Sequence, residues 1–282
     1  MKKTEQRIWH RFPLLAATAL TLTLSTPGIS ANDPIADAIY AGGDIITVDE
    51  LRPTAEAIAV KDGRILAVGP MTEVGRHRTA ATRMVDLDGR TLLPGFIDAH
   101  GHVFNTGFQA LAANLLAHPD GAVNDIATLQ ATLRDWSRQY PDRLARFDWI
   151  IGFGYDDSQL DEQRHPTRDD LDAVSTTVPV LAIHQSGHLA AVNSRGLEVA
   201  GISAASEDPA GGVYRRQSGG TEPDGVLEEM AFFKLVFSIL GQLDSDENKA
   251  MLKAGIDQYA RFGFTTAQEG RATAEAVATE AA

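Results

Sequence analysis

The chain has 282 residues, with 25 Lys and Arg against 38 Asp and Glu, a formal net charge of −13, and no cysteine. That length buries a real core in one large or two ordinary domains, and the acid excess leaves no basic face for nucleic acid. Without cysteine there are no disulfides, and any transition-metal site must come from His, Asp, Glu or a modified lysine, a nitrogen and oxygen set that suits zinc, manganese or iron.

The N-terminus has the form of a secretory signal peptide over residues 1–31. Lys2, Lys3, Arg7 and Arg11 precede or border the apolar run "PLLAATALTLTLS", and "GISAND" offers Ala31 as a small residue for cleavage. The apolar core from Leu14 to Leu24 is short for a bilayer span. The expectation is a periplasmic or secreted protein that meets a membrane only during export.

Residues 36–93 carry "ADAIYAGGDIITVD", "AEAIAVKDGRILAVG" and "RMVDLDGRTLLPGF", short Val, Ile and Leu runs broken by turn residues. They predict a small β module, with hairpins at Asp62-Gly63 and Asp88-Gly89. Pro94-Gly95 punctuates the chain, and "FIDAHGH" then has the continuous apolar character of a buried strand in a parallel sheet. On a strand, residues i and i+2 share a face, so His100 and His102 project together and can grip one metal ion; the competing reading is two polar residues at a strand end. Asp98 would face the same way and support the site from behind the ligands.

Downstream, "DIATLQATLRDWSRQY" predicts a helix with Ile126, Leu129, Leu133 and Trp136 on its packed face. "DWIIGFGYDD" predicts a buried strand entering a loop, where Tyr155, Asp156 and Asp157 can reach a pocket. "HPTRDDLDAVS" starts a helix with Thr167 as cap and Asp170 in the capping-box position. "VPVLAIHQSGHLAAVNSRGLEVAG" predicts a strand, a polar loop and a helix closing at Gly201. Residues 203–225 predict a long loop or lid, "VLEEMAFFKLVFSIL" an apolar helix with Glu228 and Glu229 at its start, and "ENKAMLKAGIDQYARFGFTTAQEG" a helix running into a strand. Residues 271–282 are alanine-rich and helix-prone. His188 is a candidate substrate contact. His184 lies four residues earlier, but the strand before it argues against the shared helical face that a second metal pair would need. His10, His77, His118 and His165 are expected to be solvated or structural.

Taken in order, "LLPGFIDAHGH", "FGYDDSQL", "HPTRDDLD", "VPVLAIHQSGHLAAVNSRGLEVAGI", "DPAGG" and "EPDGVLEE" resemble the metal-dependent amidohydrolase superfamily, and within it the amidohydrolase-3, YtcJ-like group. The resemblance covers about residues 36 to 270. It implies an α/β fold, a TIM-type (β/α)8 barrel with its site at the C-terminal ends of the strands, preceded by part of a β-sandwich assembled from both chain termini. It also implies a centre of one or two divalent ions, zinc by default, held by His100 and His102 with a bridging carboxylate, often a carbamylated lysine. Tyr155, Asp156 and His188 would line the substrate pocket.

The family's two further histidines and late aspartate have no counterpart here, since the last histidine is His188. The expectation is therefore the first part of an incomplete barrel over residues 94–282, with the general base unassigned. By resemblance it hydrolyses a small-molecule amide or N-acyl bond, and as an isolated chain it is expected to be inactive. The alternative is a non-catalytic periplasmic binding or interaction protein derived from such an enzyme.

Overall fold

The computed structural model describes residues 33–272, so the leader expected at 1–31, His10 and most of the alanine-rich end lie outside the described residues. The chain divides after Pro94 into two compact units.

In the first unit β1 (Ala38–Ile46), β2 (Thr54–Lys61) and β3 (Arg64–Gly69) form an antiparallel meander, a helical turn α1 (Met71–Val74) follows, and β4 (Arg83–Asp86) adds to β1 in parallel. The strand order is β3-β2-β1-β4, a single sheet rather than a sandwich among the described residues. Ile39, Ala57, Ala59 and Val74 form its small core. Asp62-Gly63 makes the expected hairpin, with φ of 49° and 70°. Asp88-Gly89 does not. Its residues also take positive φ, but the chain continues parallel to β1, with Leu92 bridging Ile45. The dipeptide is a tight turn closed by the Arg90 amide on the Leu87 carbonyl at 3.0 Å, and it lies against Gly42 and Gly43, where a side chain at Gly43 would overlap the Arg90 carbonyl.

The second unit opens with β5 (Phe96–Ile97), α2 (Val103–Leu111), β6 (Ala113–Asn114), α3 (Ile126–Gln139), α4 (Pro141–Phe147) and β7 (Ile150–Tyr155). It continues through α5 (Arg168–Asp172), β8 (Val180–His184), β9 (Leu189–Val192), α6 (Ser194–Val199), β10 (Gly212–Arg216), β11 (Pro223–Glu229), α7 (Met230–Leu240), α8 (Ser245–Arg261) and β12 (Phe264–Thr266). One sheet has the order β10-β11-β9-β8-β7-β6, and β12 pairs with β5 separately, in parallel. β6, β7 and β8 are parallel neighbours, as strand–helix alternation predicts, while β9, β11 and β10 extend the sheet antiparallel. The described residues thus form an open mixed sheet.

Both faces of this sheet are covered. Ile151, Leu181, Ile183 and Val192 pack with Phe108, Leu227 and Phe232 on one side, and Ile150, Val180, Ala182 and Ala191 with Leu129, Leu133 and Trp136 on the other. Double coverage is why "VLAI" is an unbroken apolar run. Ile126, Leu129, Leu133 and Trp136 are all buried along α3, the face that the period predicts.

Three further expectations fail. "FIDAHGH" is a strand only at Phe96–Ile97, both residues exposed, so His100 and His102 lie beyond it on a turn rather than on a pleat. "LAAV" is a strand, not a loop entering a helix; its small side chains carry little β signal, and it pairs because β8 and β11 flank it. Residues 203–225 contain β10 and the start of β11, and "VLEE" completes β11 before α7 begins at Met230. Glycine, proline and serine mask the β10–β11 hairpin, whose turn includes Gly219 at φ 73°.

The capping box at α5 forms as predicted. The Thr167 side chain accepts from the Asp170 amide, Asp170 Oδ2 accepts from the Thr167 amide at 2.7 Å, and Arg164 Nη1 donates to the same carboxylate at 2.6 Å. Partial burial opposes the charge on Asp170, but Arg164 and Thr167 outweigh it and hold the carboxyl below its ordinary value. A folded-state value below the unfolded one means stability present above about pH 4 and lost as pH falls further. Asp170→Ala should cost about 1–2 kcal/mol in urea unfolding at pH 7, and the difference from wild type should shrink toward pH 3.

Candidate metal centre and adjoining cavity

The turn after β5 is shaped by Asp98. Its Oδ1 accepts from the His100 amide at 3.2 Å and its Oδ2 from the Tyr259 hydroxyl at 2.6 Å, which ties the turn to α8. That bond raises the Tyr259 pKa and keeps the phenol a donor. Gly101 lies between these groups, where a Cβ would overlap both Asp98 Oδ2 and the Tyr259 oxygen. Asp98 therefore supports the turn through its backbone.

His102 is the N-cap of α2, and its ring meets that of His100 edge-on, with centroids 5.6 Å apart. On its other side His102 Nδ1 lies 3.2 Å from Glu269 Oε1, while Glu269 Oε2 accepts from the Phe104 amide at 3.0 Å. The Glu269 side chain is 7% exposed. Residues 102 and 269 are adjacent because β12 pairs with β5, and because α2 and α8 cross closely enough that a side chain at Gly107 or Gly255 would overlap the facing backbone. Glu269 is not among the residues to which the sequence pattern points. The available signal was an acidic residue just past the predicted strand in "FTTAQEG", before a glycine.

His102 and Glu269 fit a divalent ion in donor chemistry and spacing, but His100, His102 and Glu269 do not bring three donor atoms within 4.8 Å of one another. Ligands with bonds of about 2.0–2.2 Å stand roughly 2.9–3.5 Å apart, and two imidazoles on one ion hold their ring centres about 4.5–5.5 Å apart. The His102–Glu269 and His100–His102 separations lie within or just beyond those ranges.

His102 and Glu269 form one wall of a cavity of about 600 Å³. Phe104, Phe108, Phe153, Phe232, Phe233 and Phe237 make much of the remainder. His188 also lines it. Its Nδ1 lies 3.0 Å from Glu229 Oε2 and its ring packs edge-on against Phe233 at 5.6 Å. Glu229, the last residue of β11 and the N-cap of α7, takes φ 51°, an unfavourable backbone for a residue with a side chain.

Tyr155 and Asp156, expected beside a substrate, do not line this cavity. Tyr155 is wholly buried and its hydroxyl lies 3.2 Å from His165 Nδ1. Burial pushes the phenol pKa upward, so the hydroxyl donates and His165 accepts. Burial likewise lowers the His165 pKa, against the opposing pull of Asp157. Asp156 Oδ1 accepts from the Ser158 amide and hydroxyl, and Oδ2 from Gln159 and Gln185. Burial works against its charge, but these bonds and nearby His184 hold its pKa below the ordinary value. Glu228 lies on β11, 3.7 Å from Arg215.

A family model described as amidohydrolase family matches residues 83–281. The chain belongs to the amidohydrolase family. It is 30% identical to N-substituted formamide deformylase of Arthrobacter pascens, over 85% of this chain and 43% of the relative. It is 34% identical to the putative amidohydrolase YtcJ of Bacillus subtilis strain 168, over 69% of this chain and 35% of that protein. This amidohydrolase chain thus spans less than half the length of both relatives. Its fold is similar to that of an uncharacterized metal-dependent hydrolase from Pyrococcus furiosus, with a TM-score of 0.60 at 20% identity, covering 86% of this chain and 46% of that one.

Gly101→Ala should separate Asp98 from Tyr259 and displace the turn that carries both histidines. We expect divalent-metal affinity to fall at least about tenfold, measured by titration against a chromophoric chelator, while far-UV circular dichroism stays near wild type.

Proposed function

We propose that this chain carries the first part of a metal-dependent amidohydrolase centre, in which His100, His102 and Glu269 hold a zinc-type ion and the phenylalanine-lined cavity receives the apolar part of a small amide or N-acyl substrate. The observation that supports this most is the near-contact of His102 and Glu269, 167 residues apart, in the wall of an apolar cavity. When bound, such an ion lowers the pKa of water and polarises a carbonyl.

The protein's own groups have separable roles. His100 and His102 supply neutral nitrogen donors, and Glu269 supplies a carboxylate oriented by the Phe104 amide. The phenylalanines exclude water and orient the substrate's apolar end, while His188, steadied by Glu229, is placed to contact its polar end. Three protein donors leave an ion open to substrate. The similarity to a formamide deformylase favours a formyl or other small N-acyl group. The general base is unassigned, and the described residues account for a share of the centre. The signal-peptide pattern over residues 1–31 supports export to the periplasm or medium.

The test is metal content and turnover of the 282-residue chain. We expect zinc to be retained after gel filtration and reduced in Glu269→Gln and in the His100→Ala, His102→Ala double variant, with no hydrolysis of N-substituted formamides. Unchanged zinc in these variants would overturn the assignment. Saturable binding of an N-acyl ligand that is indifferent to chelator would favour the non-catalytic reading.

A further inference from the structure

A second group of ligating side chains lies outside the phenylalanine cavity. β7 and β8 run in parallel and pair Tyr155 with His184, so the residues that follow β7 meet the end of β8. There His184 Nε2 lies 3.3 Å from Asp157 Oδ1 and 3.7 Å from Asp156 Oδ1. One donor atom from each of the three falls within 4.8 Å of the others. The expectation that His184 has no metal partner considered only His188; the partners come from another strand.

Two observations separate this group from an ordinary ion pair. His184 Nε2 is buried and makes no hydrogen bond, although two carboxylates stand beside it. An imidazolium would align its N–H on an oxygen at about 2.7–2.9 Å, whereas here the oxygens stand off at distances close to the edges of a coordination polyhedron. Asp157, for its part, has His165 at 3.5 Å and His184 at 3.3 Å as its ion-pair partners.

We propose that Asp156, Asp157 and His184 bind a second divalent transition-metal ion, distinct from the ion of His100, His102 and Glu269. An imidazole with two carboxylates favours zinc, manganese or cobalt over magnesium or calcium, and the two acidic groups balance its charge. Surrounding residues prepare the ligands. Gln159 and Gln185 fix Asp156, and ion uptake requires the Ser158 hydroxyl, 2.7 Å from Oδ1, to rotate away. The His184 ring proton now belongs on Nε2, because Nδ1 accepts from the Ser186 amide at 3.1 Å; an ion on Nε2 moves that proton to Nδ1, so the Ser186 amide must turn away and leave Ser186 Oγ, 2.9 Å off, as its acceptor. Arg215, the cation acting on His165, lies 3.7 Å from Glu228 and 3.9 Å from Asp224, which temper its charge. Ser186 also lines the phenylalanine cavity, so an ion here would stiffen part of the cavity wall.

The experiment is cobalt titration of the chelator-stripped 282-residue chain, read by visible absorption and by bound metal per chain. A variant carrying His100→Ala, His102→Ala and Glu269→Gln removes the first centre. It should still bind one ion per chain, and adding Asp157→Asn, which is isosteric, should weaken that ion at least about tenfold. His184→Gln provides the same test from the other ligand, with circular dichroism as the check on folding. No ion in the triple variant, or undiminished binding after Asp157→Asn, would overturn the proposal. One ion lost only on Asp157→Asn would leave this site standing and remove the first.

Discussion

The structure depends on two helices packed with almost no space between them. α2 and α8 cross at Gly107 and Gly255, where any side chain would overlap a carbonyl or amide of the other helix. One end of α2 is His102, and α8 leads through β12 to Glu269. The parallel pairing of β5 with β12 sets the register, and the helix crossing sets the distance. Together they hold an imidazole and a carboxylate 3.2 Å apart across most of the second unit's sequence. Glycine is needed at the crossing because ordinary side chains hold helix axes farther apart.

Polar chemistry gathers where parallel strands end. The turn after β5 carries Asp98, His100 and His102, the end of β7 carries Asp156 and Asp157, β8 ends on His184, and the segment beyond β12 carries Glu269. Within β7 and β8 both faces are packed, so a charged group there has room and solvation only past the last ladder bond. Parallel pairing delivers the ends of β7 and β8 to one edge of their sheet, and those of β5 and β12 to one edge of theirs, as in α/β enzymes generally. The antiparallel strands behave differently: they carry β9 and β11 past His188 and Glu229 and bring α7, with its phenylalanines, over the cavity.

Much of the outline was legible in the residues. The α3 stripe, the Thr167–Asp170 capping box, the Asp62-Gly63 hairpin and the apolar strands β7 and β8 rest on local physics: a repeat of 3.6 or 2, a side chain reaching an amide three residues away, a dipeptide tolerant of positive φ. Where pattern failed, a neighbour had decided. Asp88-Gly89 has hairpin chemistry, but β1 was already paired with β2 and accepted the next strand in parallel. "LAAV" and "GVYRR" lack strong strand character and became strands because open ladder positions lay beside them. "FIDAHGH" ceased to be a strand after two residues because Asp98 captures the His100 amide.

The sequence by itself determined the chemical inventory: no thiols, two histidines one residue apart, an Asp-Asp pair after a buried strand, and the order of motifs that marks an amidohydrolase. It also determined the elements whose stabilising contacts fall within a turn or two of chain. Only the tertiary structure decided which donors meet. Glu269 reaches His102, His184 reaches Asp157, and Tyr155 is committed to His165 because strand pairing and a glycine-lined helix crossing juxtapose residues with no local relation. Such contacts depend on packing summed over the whole unit, and no periodicity in a single segment encodes them.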